Sequence, residues 1–257
     1  MQNIYPLFER NRILKKEHMW SLRDYAFTHM QLEYGEYSDG ILRGCELKVE
    51  ENKLLLGQGI VKYKGFLYLV SEEMSINYEA TERLQFLKLR ADREERLSDS
   101  IRYGLTLVLE EKGTEEDELE VCRFKLRIGS RLRNTYKDFE DMETEFDTIN
   151  FLHGNWAGLG GSTLSSVITN YFAKLVLEES GSKAEDIHFA YLCLGQPGAI
   201  SRRIVEDYVG RRINLYDSRN LSDERLFEGL VQIMEEIKGN RQIRASSTGG
   251  RRKILVE

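Results

Sequence analysis

The chain is poor in the residues on which most catalytic and metal sites are built. It has 4 histidines, and two of them, His18 and His29, share one helical stretch about three turns apart, roughly 16 Å by helical rise and too far to ligate one metal ion. His153 and His188 have no nucleophile signature beside them; Ser162 stands in G-G-S-T-L rather than in a G-x-S-x-G elbow. The 3 cysteines, Cys45, Cys122 and Cys193, are odd in number and scattered among apolar neighbours, which argues for buried free thiols rather than a disulfide framework. No apolar run reaches membrane-spanning length, and Glu9 and Arg10 stand where a signal peptide would need an apolar core. A protein made and kept in the cytoplasm, with no membrane insertion, is expected. The net charge of −6 removes any overall attraction to nucleic acid, so such binding is not expected outside a local basic patch. No cofactor, no metal and no catalytic residue is expected, and the chain reads as a non-enzyme.

With only 2 prolines, 21 glycines and 31% charged residues, the composition suits a folded protein with extensive polar surface. Its 257 residues allow two compact units joined by a hinge. Apolar positions recur at helical spacing from Leu14 through Leu22, Tyr25, Ala26 and Met30, with Trp20 and Phe27 widening the stripe. The stretch 37–70 then changes the period to two. Cys45, Leu47 and Val49 alternate with Glu46, Lys48 and Glu50, and glycines punctuate further short runs, so a β-meander is expected. Strands are also expected at 74–78, 84–89, 101–109 and 119–128, enough for a sandwich or a partly closed barrel. The acidic run 115–118 reads as a solvated hairpin tip, since it lacks the alternating ligands and central glycine of a calcium loop.

Periodicity fades over 129–161. Asp138, Glu140, Asp141, Glu143, Glu145 and Asp147 lie in an acidic, aromatic-rich connector where carboxylates would suit a metal site or the acid/base pair of a hydrolase, but no His or Cys accompanies them at ligand spacing. The glycine-rich 154–163 fails as a phosphate loop, because Gly161 precedes Ser162 where a P-loop needs lysine; it reads as a flexible joint ending in an N-cap at Ser162 or Thr163. Four helices follow. Their inward faces are expected to carry Leu164 to Val176, then Ile187, Ala190, Tyr191 and Leu194, then Ile204, Tyr208 and Val209, and last Leu226 to Ile237, with Gly239 ending the fourth.

Two terminal segments are the candidate partner-binding elements. At the start, Tyr5, Pro6, Leu7 and Phe8 form a short apolar arm that Pro6 keeps extended. At the end, Arg251, Arg252 and Lys253 precede the apolar run Ile254, Leu255 and Val256, a pattern suited to docking as an added strand on a partner's sheet edge. A disordered terminus is an equal reading of this tail, and contact with nucleic-acid phosphates ranks behind both, because no aromatic side chain is interleaved with the arginines.

The pattern Asp39-Gly40-Ile41 with Gly44, Leu47 and Val49, then Gly57, Gly59, Ile60, Gly65 and Tyr68, resembles the meander of baseplate and fibre-attachment proteins of contractile phage tails and related injection systems. The opening is similar to the start of the type VI secretion baseplate adaptor, with Leu14 and His18 in its Leu-x-x-x-His stretch. The family's aromatic-Gly pair before that leucine is absent, and the likeness covers about residues 1–130. It implies an oligomer, a trimer being favoured, that joins a baseplate to a fibre or another shell component and has other tail or baseplate proteins as partners. The expected fold class is α+β: a shell-like antiparallel β-sandwich with its N-terminal helix (1–130), a connector (131–161), a helical bundle (162–239) and an extended basic docking tail (240–257). The alternative is a nucleic-acid-associated module using that tail.

Overall fold

The computed structural model describes residues 10, 13, 15–215 and 217–248, with side chains as far as 239. Helix α1 (Lys16–Tyr34) comes first. The stretch that changes period holds β1 (Gly40–Gly44), β2 (Leu47–Val49), β3 (Lys53–Leu56), β4 (Gly59–Tyr63) and β5 (Phe66–Val70). Next come β6 (Met74–Asn77), β7 (Leu84–Ala91), the short β8 (Glu95–Arg96) and β9 (Ile101–Arg102), β10 (Leu105–Glu110) and β11 (Glu118–Lys125). After β12 (Trp156–Gly158) and β13 (Gly161–Thr163), four helices end the described chain: α2 (Ser166–Glu178), α3 (Ala184–Leu194), α4 (Arg202–Arg212) and α5 (Asp223–Thr248). The chain is α+β, and among the described residues no sheet closes into a barrel.

The stretch 37–70 is not one meander, because its strands are divided between two sheets. One sheet runs β13-β12-β1-β4-β5 and another β2-β3-β6, so the β2–β3 hairpin is an excursion between β1 and β4. The switch falls at Gly44 and Cys45, both with positive φ (70° and 55°), a conformation that breaks the strand Cys45 was expected to begin. A Cβ at Gly44 would stand 2.2 Å from the Gln58 carbonyl oxygen, so glycine alone fits the crossing. Gly40, at φ 138°, likewise lets β1 lie against the backbone of Asn155 and Trp156, where Ile41 N–H donates to the Asn155 carbonyl at 2.9 Å. A third sheet, β10-β7-β11, is antiparallel throughout, and β8 pairs with β9 as a short arm.

The glycine-rich 154–163 is a β-hairpin rather than a loose joint. Trp156 pairs with Thr163 across it, and β12 runs parallel to β1. The cap of α2 is Ser165, whose Oγ accepts from Val167 N–H, and not Ser162 or Thr163. Two inward faces also differ from expectation. On α3 the buried residues are Asp186, Phe189, Ala190 and Cys193, while Tyr191 and Leu194 face out; on α4 Ile204 is 40% exposed. The cause is a buried acid, since Asp186 turns inward and shifts the buried stripe of α3. Gly239 does not end the last helix: α5 continues to Thr248, nine residues into the segment expected to be extended.

The buried apolar side chains form one connected cluster across sheets and helices. Phe139, from the acidic connector, is its hinge pin. It stacks on Phe227 of α5 with centroids 5.0 Å apart and meets Phe172 of α2 edge-on at 5.3 Å.

Candidate assembly surface

Helix α1 has 19 residues and none of them is buried. Of the residues expected to form an apolar stripe, Trp20, Leu22, Tyr25 and Phe27 are 42–56% exposed, and Leu32, outside that stripe, is 80% exposed, so apolar side chains stand on more than one face of the helix and none is buried. The helix is fixed at its C-terminus. Lys62, a buried residue of β4, donates from Nζ to the carbonyls of Tyr34 (2.9 Å), Gly35 (3.0 Å) and Tyr37 (2.7 Å). A cation at that end also meets the negative pole of the helix dipole.

Beside α1, strand β5 is the outermost of its sheet, so one row of its backbone groups has no sheet partner among the described residues. Between the two lies a cleft of about 900 Å³. Phe27 and Met30 of α1, Leu69 of β5, and Ile101 and Tyr103 at and beside β9 are among the residues that line it. Tyr103 stacks on Phe66 with centroids 4.2 Å apart and thereby holds the arm over the end of β5. Glu72, Asp92 and Glu95 supply carboxylates at the rim, together with Arg93 and Arg102. Arg102 faces Glu95 at 3.7 Å, whereas Glu72 and Glu73 are exposed and form no ion pair with any described residue.

Four of the six connector carboxylates, Asp138, Asp141, Glu145 and Asp147, are engaged locally, while burial, with Glu228 nearby, pushes the Glu143 carboxyl up. Arg133 grips Asp141 through two bonds of 2.5 and 2.7 Å and holds its carboxyl well below the usual range. Glu145 pairs with Lys125 and Asp147 with Arg127. Asp138 caps the turn at Glu140–Glu143 by accepting from Asp141 N–H at 2.9 Å. His153 Nδ1 lies 3.2 Å from Glu224 at the start of α5. Among the described residues no group of three or more His, Cys, Asp and Glu is placed to hold a metal ion. Cys45, Cys122 and Cys193 are free and buried; burial pushes the thiols of Cys45 and Cys193 up to about 12 and that of Cys122 well above its ordinary value. Among the described residues, no helix is long and apolar enough to cross a membrane.

The sequence reading missed the ion network of the third sheet. Lys88 is fully buried, with Nζ 2.7 Å from Glu118 and 3.0 Å from Glu110, and Arg90 bonds both acids from the next same-face position. Glu118 is therefore no solvated hairpin residue, although its neighbours Glu115 and Glu116 are exposed. The available signal was the spacing Lys-x-Arg in β7 opposite Glu110 and Glu118 in its two neighbours, but that needs the register. Tyr5, Pro6, Leu7, Phe8, Arg251, Arg252, Lys253, Ile254, Leu255 and Val256 all lie outside the described residues, as does Leu14.

No family model matches the chain, and no curated protein matches it either. Solved structures similar to it are type VI secretion baseplate proteins. A chain from the TssK–TssF–TssG baseplate subcomplex is 10% identical with a TM-score of 0.41, covering 92% of this chain and 99% of its own length. The crystal structure of TssK is 9% identical with a TM-score of 0.40, covering 93% of this chain and 70% of that one. A chain of the type VI secretion baseplate complex is 10% identical with a TM-score of 0.38, covering 91% and 100%.

Proposed function

We propose that the protein is a non-enzymatic structural component of the baseplate of a contractile tail or injection machine. In this reading it acts as an oligomeric adaptor, a trimer being favoured, between the baseplate and a fibre or another shell component, and it works in the cytoplasm as part of the assembled particle. The observation that carries the reading is α1, a helix with no buried residue beside a free sheet edge. An isolated helix of about this length is marginal in water, so a surface of this kind is one that assembly covers. Further support comes from the resemblance in 39–68, where Gly40 and Gly44 serve backbone crossings, and from Asp141, Glu145 and Asp147 of the connector, which are engaged in ion pairs.

The test is to co-express the full chain with the sheath, tube and wedge proteins of a contractile machine from its own source and to measure the mass of what co-purifies by light scattering. A defined complex in which this chain is present in more than one copy is expected. A strict monomer that binds none of them overturns the reading.

A further inference from the structure

We propose that the cleft between α1 and β5 is the seat of the chain's own segment 251–256, taken up as an added strand on the free edge of β5. This deepens the assembly reading and rests on it, since it names what covers the exposed surface. The cleft takes apolar lining from two elements besides β5, Phe27 and Met30 from α1 and Ile101 and Tyr103 from β9 and the residue after it. A strand lined by apolar side chains from two elements needs consecutive apolar residues rather than alternating ones. Ile254, Leu255 and Val256 form such a run, preceded at once by Arg251, Arg252 and Lys253.

The charges fix the direction. Glu72 and Glu73 follow the C-terminal end of β5 and have no cationic partner among the described residues. An antiparallel strand brings its N-terminal end there, which sets Arg251 beside Glu72 and Ile254 beside Leu69, the residue of β5 that is 61% exposed. Backbone pairing with β5 would then supply affinity, and the arginine–carboxylate contacts the register. The other apolar segment outside the described chain, 4–8, suits the site less well: Pro6 removes a ladder donor from its middle.

The test uses the full chain carrying Leu69→Cys and Ile254→Cys, oxidised under mild conditions. The three natural thiols are buried and do not compete. A disulfide-linked product is expected at about tenfold the yield of a control pair, Leu177→Cys with Ile254→Cys, because docking raises the local concentration of one thiol at the other. A product of one chain's mass places the segment on its own cleft, and a product of two chains' mass places it on a neighbour's; either supports the proposal. Yields equal to the control, or no product, overturn it. A second variant, Leu69→Cys with Ile254→Asp and Leu255→Asp, differs from the Leu69→Cys chain in no described element. The thiol introduced at position 69 should react with a maleimide about tenfold faster than in the Leu69→Cys chain with a natural tail, and an unchanged rate also overturns the proposal. Failure here with intact co-purification of baseplate proteins removes only the tail as occupant, whereas a monomer that binds none of them removes the assembly reading.

Discussion

The Lys62 ammonium lies 2.9 Å from the Tyr34 carbonyl, and through this bond and its two companions a buried lysine in the sheet holds the end of an otherwise unburied helix. Replacing Lys62 with methionine keeps the length of the side chain and removes the donor from three carbonyls. A loss of about 1–3 kcal/mol is expected from urea midpoints, with protease cleavage within α1 appearing earlier than in the parent. Unchanged midpoint and cleavage would mean that α1 is held by something other than this cap.

Lys88 tests the buried network. Lys88→Met leaves Glu110 and Glu118 to Arg90 alone and is expected to cost about 1–3 kcal/mol, while adding Glu118→Gln should return part of that loss. Thermal unfolding of the single and double variants measures both. If the double variant is as unstable as the sum of the single ones, the pair is not coupled.

Acid should find the same place. Burial opposes ionisation of Glu118, but Lys88, the Glu115 N–H and Arg90 outweigh it and hold the carboxyl at about 2. The folded value lies below the unfolded one of about 4.3, so this stabilisation is complete above the unfolded value and is lost as pH falls through the folded one. The amount is on the order of 3 kcal/mol. Stability measured between about pH 5 and 2 should fall less steeply in Glu118→Gln, and an identical slope would contradict the assignment.

The connector is predicted to be structural. Phe139→Ala removes the ring shared by Phe172 and Phe227 and should cost about 3–5 kcal/mol, whereas alanine at the exposed Asp138 should cost about 1 kcal/mol as a lost cap. The reverse order in chemical denaturation would mean that the acids, not the aromatic anchors, hold this segment.

Much of the fold was legible in the sequence, because alternation and helical spacing are local. The strands at 84–91 and 118–125, all four later helices and the buried state of the three thiols follow from such patterns. What was not legible depends on pairing between distant residues. Nothing in 37–70 says that β2 and β3 leave the sheet of β1 and β4, because that depends on β6 and β12 arriving later. The inward turn of Asp186 needs Tyr208 and Arg212, whose hydroxyl and guanidinium meet it at 2.8 and 2.7 Å from another helix. For the candidate surface, spacing gave the helix of α1 but not that none of its residues is buried, since a pattern cannot say whether its own chain covers it. The free edge of β5 was invisible for the same reason.

The most direct test of the assembly account is backbone hydrogen exchange of α1, compared between the isolated protein and the assembled particle. The account predicts that amides of Lys16–Tyr34 exchange quickly in the isolated chain and are protected in the particle. Exchange in this helix that is equally fast in both states would contradict it.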